Sequence, residues 1–365
     1  MKPFTPSKSL LSVALTTLLL FSCKKDQVDQ PAPAAQGKYE NGFFMVNEGW
    51  FGHGTGEVSF YDYAMKKITD SIFKRENPTK DLNPTSSTLQ FGTIFNNNMY
   101  LISKVGGPMV VVDAFTFKEK GRIAAKGGND WRAFLGIDQN TGLLSSSSGV
   151  YMVNLKTMSA YSKLVGADGQ IGDMFKAGQY IFMHSATNGM LIFNAADYSL
   201  NQKVKGVTMG FAQTPNGKVW YTGGKYLYEI DPQTLAKDSV DLKFTTYAAW
   251  GAWHSGSIVA STKENTVYVL KNASFSGGSE VYRYVSGNKS SVDAPFITNP
   301  AQQIFYGKGI GFDGRQNQLV IQTVQSGFGA NFAINNLFFY DTNGKLKQTI
   351  PYEGYHFPSL TVFHQ

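Results

Sequence analysis

KYLYEIDPQTLAKDSV, Lys225 to Val240, reads as an alternating strand, a turn at Asp231 and a second strand, and the pattern returns along the chain. Aligned on the turn residue, the other copies are EVSFYDYAMKKITDSI (Asp62), PMVVVDAFTFKEKGRI (Asp113), GVYMVNLKTMSAYSKL (Asn154), GMLIFNAADYSLNQKV (Asn194), NNLFFYDTNGKLKQTI (Asp341) and a degenerate NTVYVLKNASFSGGSEVYRY around Lys271. The Asp or Asn recurs for a chemical reason. Its short side-chain oxygen accepts from the backbone N–H two residues on and closes the turn that folds one strand onto the next. Lys271 cannot do this, so its copy requires a longer loop.

Each hairpin is preceded by two more strand-like runs and another turn, most clearly MGFAQT, PNGK and VWYTGG ahead of KYLYEID. Four strands per copy, recurring every roughly 40 to 50 residues, is the unit of a β-propeller blade. Seven turn residues then predict an all-β, seven-bladed β-propeller of four-stranded antiparallel blades. The interval after Lys271 is longer, and residues 272–340 hold either one blade or two, with Ser286 to Pro300 as a loop. The first copy lacks an opening strand, while Tyr355 to Phe363, YHFPSLTVF, has no hairpin of its own. It is expected to supply the innermost strand of blade one and close the ring, which leaves no open edge.

Composition agrees. Gly (38), Tyr (19) and Phe (27) are abundant and only 16% of residues are charged, which suits short strands and tight turns. The net charge of +7 carries no Arg/Lys stripe and argues against nucleic acid as a partner.

At the N-terminus, Lys2 and Lys8 form a basic region ahead of an apolar run, LLSVALTTLLLF, too short to span a bilayer comfortably. Leu20-Phe21-Ser22-Cys23 resembles the lipobox of bacterial lipoproteins. Cys23, the only cysteine, is therefore the expected lipidation site. Residues 1–22 read as the signal peptide, 23–40 as a lipidated flexible tether and 41–365 as the propeller. Lys24-Lys25-Asp26-Gln27 resembles a surface-export signal, which places the protein on the outer membrane facing the cell exterior.

Topology sorts the loops onto two faces. Loops from strand two to three emerge beside the links from strand four to the next blade, and this face carries the aromatics and Gly-rich segments. Trp50, Phe51, Trp131, Trp250, Tyr306 and Phe328 are candidate ligand contacts. Asn129, Arg132 and Asn188 are candidate polar readers, with His53 and His184 beside them. Glu48, Asp130 and Asp173 could meet at the axial mouth, or lie apart as solvated carboxylates. The five histidines show no metal-ligand spacing, and no nucleophile elbow, zinc-protease helix or phosphate loop is present. The chain reads as a binding protein without catalytic residues, metal or cofactor. Asp70-Ser71-Ile72 and Asp238-Ser239-Val240 resemble a short O-glycosylation sequon, each expected in an outermost strand.

Val46-Asn47-Glu48-Gly49, followed by a Gly-rich loop and GEVSFYD, together with the YLYEIDPQTL-type hairpins, resembles the YncE-like surface-layer propeller lipoproteins of Bacteroidetes. Within that group the chain is similar to members that capture cobalamin. The resemblance implies a corrinoid ligand, held without cobalt coordination by the aromatics and amides named above, and passed to an outer-membrane TonB-dependent transporter. The alternatives are a surface propeller that binds glycan or peptide and a propeller lyase or quinoprotein.

Overall fold

Seven antiparallel sheets of four strands each follow one another along the chain, and the last strand returns to complete the first sheet. This computed structural model describes Met1 and residues 36–125, 130–247, 250–272 and 276–364. Cys23, the signal peptide beyond Met1, residues 23–35 of the tether and Asn129 lie outside the described residues. Among those described, no helix is long and apolar enough to cross a membrane.

Blade one pairs Gly42–Asn47, Glu57–Asp62 and Lys67–Thr69 with Pro358–Phe363 as its innermost strand. Blades two to five take their strands in sequence order, beginning from Thr88–Phe95, Trp131–Gly136, Ile171–Ala177 and Met209–Gln213. Blade six begins at Ile258–Ala260 and blade seven at Gln303–Asp313. Alternation within these strands sends apolar side chains to both faces, because neighbouring blades cover each sheet on both sides. One cluster joins Phe44, Val46 and Phe60 of blade one to Leu101 and Val112 of blade two. Another joins Tyr100 and Ile102 to Phe134 and Leu144 of blade three.

The turn acids act as the sequence requires. Asp113 Oδ1 accepts from the N–H groups of Phe115 and Thr116, both at 3.0 Å. Asn154 Oδ1 takes Lys156 and Thr157 at 3.0 and 2.9 Å. Asp231 Oδ1 takes Gln233 and Thr234 at 2.7 and 3.1 Å. Asn194 differs, since its Nδ2 donates to Ser199 Oγ at 2.7 Å across the turn.

Blade six corrects the reading around Lys271. Thr266–Lys271 is its second strand, paired with Ile258–Ala260 on one side and Glu280–Val285 on the other. The loop after Lys271 is thus an inner hairpin, and the outer turn falls at 286–288, before a two-residue outermost strand, Ile297–Thr298. Residues 272–340 therefore hold the outer half of blade six and most of blade seven, with no additional blade. The loop Ser261 to Lys263 joins strands one and two and so lies on the face away from the strand-two-to-three loops. The misreading has a physical source: an innermost strand of three residues is too short to show a period.

Two smaller boundaries also shift. Tyr39, expected in the tether, is buried against Phe60 and Phe117, and its N–H donates to Phe115 O at 2.9 Å. Ser71 is not in a strand. It stands at the start of the short helix Ile72–Glu76, bonded to Glu57 Oε2, whereas Ser239 does lie in the outermost strand Lys237–Asp241.

Closure rests on Pro358–Phe363, which pairs antiparallel with Gly42–Asn47 in the register Phe43 to Phe363 and Val46 to Leu360. Ser359 Oγ donates to Gln90 O of blade two at 2.6 Å, and the Phe363 ring lies 5.0 Å from Phe43. Removing Ser359 to Gln365 strips Leu360 and Val362 from the core and leaves Gly42–Asn47 with an unpaired edge. At about 1.5–3 kcal/mol for each buried aliphatic side chain, plus lost strand pairing, a fall in melting temperature of more than about 10 °C is expected. A calorimetric melt within a few degrees of the full chain would contradict closure.

Candidate ligand-binding mouth

The link from blade five to blade six, between Asp241 and Ile258, runs over the end of the ring where the strand-two-to-three loops emerge. Its Trp253 is buried among innermost strands from three other blades. The ring lies 6.4 Å from Phe91 of blade two and under the Arg132 guanidinium of blade three at 5.8 Å. Gly172 of blade four is required here, because a Cβ at that position would fall 2.4 Å from Trp253 Nε1. Lys104 Nζ donates to Trp253 O at 3.0 Å, while Ser255 Oγ and Gly256 N donate to Asp173 at 2.7 and 2.8 Å. Innermost strands line a propeller's axis, so Trp253 plugs it at this end.

The three carboxylates of the mouth are engaged separately rather than brought together. Asp130 pairs with Arg132 at 3.1 Å, Asp173 holds the plug, and Glu48 accepts from Tyr306 Oη at 3.3 Å. Burial pushes the Glu48 carboxyl above the usual range, against the opposing charge of Lys104 and hydrogen bonds from Gln90 and Tyr306. Burial likewise lowers Lys104 below the ordinary lysine value, with Glu48 acting in the opposite direction.

Two pockets open among the loops of this face, and Trp253 lines only the second. The larger, about 280 Å³, is lined by Gly49, Trp50, His53, Thr55, Glu57, Tyr355 and His356, among others. Its loop turns sharply at Gly49, whose φ of +75° and approach to Thr55 O, 2.3 Å from a would-be Cβ, admit no side chain. Trp50 is sandwiched, with ring centroids 4.2 Å from His53 and 4.4 Å from Tyr355. The row continues through Phe357 to Tyr306 and Phe332, and Phe328 lies 5.2 Å from Phe332. Trp50, Phe51 and Phe328 are 42%, 53% and 69% exposed. Phe328 holds φ +56° and ψ −177°, a conformation that glycine adopts and L side chains avoid. An exposed aromatic kept at a strained loop tip is costly for the free protein, and such strain concentrates at binding sites.

The second pocket, about 10 Å³, is lined by His184, Thr208, Met209, Tyr247, Trp250, Trp253, His254 and Gly256. The His184 ring sits 4.6 Å from Trp250. Burial lowers both His184 and His254 to about 4, so both rings are neutral at physiological pH.

The structure thus gathers Trp50, Phe51, His53 and Phe328 on one exposed surface, with Tyr306 buried beneath it. Trp250 and His184 form the second pocket. Asn188 stands in the adjoining loop, its N–H donating to Ser185 Oγ at 3.1 Å. Arg132 is buried at the plug. Trp131 is a correction: it is fully buried in the core between blades two and three and presents no surface to a ligand. Its position opening an innermost strand, with a bulge before Phe134, turns the side chain inward. Sequence reasoning did not single out Tyr355, Phe357, Trp253 or His254 as site residues. The Tyr-His-Phe run directly after Gly354 was the available signal.

A sequence profile described as a domain of unknown function, DUF5074, matches residues 41–364. The chain belongs to the DUF5074 family. No curated protein matches it in sequence. In fold it is similar to a quinonprotein alcohol dehydrogenase-like protein from Bacteroides thetaiotaomicron, with a TM-score of 0.71 at 16% identity over 90% of this chain and 79% of that one. It also resembles a protein from Lactobacillus plantarum, with a TM-score of 0.62 at 11% identity over 89% of this chain and 100% of that one. A dihydro-heme d1 dehydrogenase gives 0.57 at 9% identity over 91% and 77%. At these identities the likeness shows the propeller fold alone.

One wall of the larger pocket carries a titratable pair, His356 Nδ1 on Glu57 Oε1. Burial favours the neutral ring, but the bond and charge of Glu57 outweigh it and raise His356 above the usual histidine value. Burial also pushes Glu57 up, and the hydrogen bonds from His356 and Ser71 overcome this and hold it low. The His356 contribution to stability is complete below about pH 6.5 and lost as pH rises through its raised value. The Glu57 contribution is present above about pH 4.5 and lost as pH falls through its lowered value. His356→Gln is therefore expected to lower the melting temperature most near pH 5 to 6 and hardly at all near pH 9, as read by scanning fluorimetry across pH. A pH-independent difference would contradict the pair.

Proposed function

We propose that this DUF5074 protein is a lipid-anchored surface binding protein that captures a corrinoid on its aromatic mouth and delivers it to an outer-membrane TonB-dependent transporter. One observation carries the reading: the exposed aromatic row from His53 through Trp50 and Tyr355 toward Phe328, strained at its tip and set beside a shallow pocket. A pocket of about 280 Å³ is small for a ligand of drug size or above. A broad ligand would lie across the mouth rather than inside it, and the Trp253 plug supports the same arrangement by denying access to the axis. A corrin, wide and mostly apolar with amides at its rim, suits rigid aromatic faces of this kind. Binding rather than turnover is favoured because Asp130 and Asp173 are committed to structural partners at the mouth.

Sugar rings stack on exposed aromatics in the same way, so a surface glycan is the second reading. Calorimetry with cyanocobalamin is expected to show saturable binding, weakened at least tenfold, about 1.4 kcal/mol, by Trp50→Ala or Tyr355→Ala. No heat at micromolar concentration, combined with retention on a glycan array, would replace the corrinoid by a glycan.

A further inference from the structure

The second pocket has a feature that an aromatic capture surface does not use. His254 Nδ1 donates to Ser255 O at 2.7 Å, which ties one of its ring nitrogens to the main chain. In both His254 and His184, Nε2 is buried without a partner. A neutral imidazole whose Nδ1–H is given to a backbone carbonyl presents Nε2 as a bare lone pair. That is how metal-binding histidines are oriented by their outer shell. Both rings line the same cavity, about 10 Å³, the size of a single atom or water. Met209 lines it as well, and the Trp250 indole packs on His184.

We infer that His184 Nε2 and His254 Nε2, with the Met209 thioether, form a site for one soft monovalent transition-metal ion of the copper(I) class. The donor set decides the class. Two imidazoles and a thioether are neutral and soft, which suits copper(I), whereas hard divalent ions require carboxylate or carbonyl oxygen. Among the described residues no three His, Cys, Asp or Glu side chains are placed to hold a metal together, so the third donor has to come from outside that set. The surrounding charge acts in the same direction. Lys104, Lys308 and Asp173 all act on His254, which makes two cations against one carboxylate already bonded to Ser255 and Gly256. Repulsion from such a setting scales with ion charge and is halved for a monovalent ion. This site is independent of the corrinoid reading, which needs no metal from the protein.

Silver(I), a redox-inert stand-in, and copper(I) under anaerobic conditions with a chromogenic competitor are the probes, applied to the mature full-length chain. One equivalent of either ion is expected to bind and to quench tryptophan fluorescence through Trp250. Trp250→Phe should keep the stoichiometry and lose much of the quench. His184→Gln and His254→Gln should each weaken binding more than about 100-fold, beyond the 10–100-fold typical of an outer-shell loss. Met209→Leu should weaken it about tenfold and abolish the preference over zinc(II), since the thioether supplies the softness. Absence of one-to-one binding by the wild-type protein overturns the inference without reference to any variant, so a histidine variant that fails to fold leaves the test intact. Zinc(II) binding as tight as silver(I), or affinity unchanged in the double histidine variant, overturns it as well.

Discussion

The pairing of Gly42–Asn47 with Pro358–Phe363 is the constraint on which the rest depends. Every other neighbouring pair of strands in the molecule is joined through a short stretch of chain, but this pair joins the two ends. It converts an open row of sheets into a ring, gives Gly42–Asn47 a partner on its inner side and leaves no open seam between the last blade and the first. The pairing also carries a kinetic cost, since closing so long a loop is slow compared with forming the hairpins inside each blade. Side chains on either side of the seam reinforce it: Phe363 against Phe43, Ser359 on Gln90, and His364 Nε2 2.7 Å from Tyr39 O.

Once the ring exists, one of its ends is finished by the blade-five link. Trp253 fills the axis where a propeller of this size has space, and it is held from three blades by Phe91, Arg132 and Gly172. The link has to cross the opening to do this, and so it brings Trp250 and His254 to the mouth with it. Packing and site therefore share a segment, and the position of the ligand face follows from the need to fill the centre.

The scaffold was legible because its signals are local and repeated. An Asp that bonds the N–H two or three residues on can be recognised from the sequence around it, and Asp113, Asn154 and Asp231 all behave accordingly. Blade six was misread because Ile258–Ala260 is too short for alternation to show and its outer turn lacks the acid. Within the mouth, Trp50, Phe51 and Phe328 were legible from their Gly-flanked loops. Trp131 has no such loop, and its burial depends on a bulge and on neighbouring blades. Tyr355 and Trp253 act through residues hundreds of positions or several blades away, and no local pattern encodes such a meeting.

The sandwich of Trp50 and Tyr355 has a consequence for the order of events in folding. Trp50 lies in the first hairpin of blade one and Tyr355 in the link that leads into the closing strand, so the two rings meet only when the ring is shut. A chain without the closing segment lacks this pairing of rings. Conversely, a ligand that lay across both rings would bind only the closed form and hold it shut by mass action, a latch on the seam.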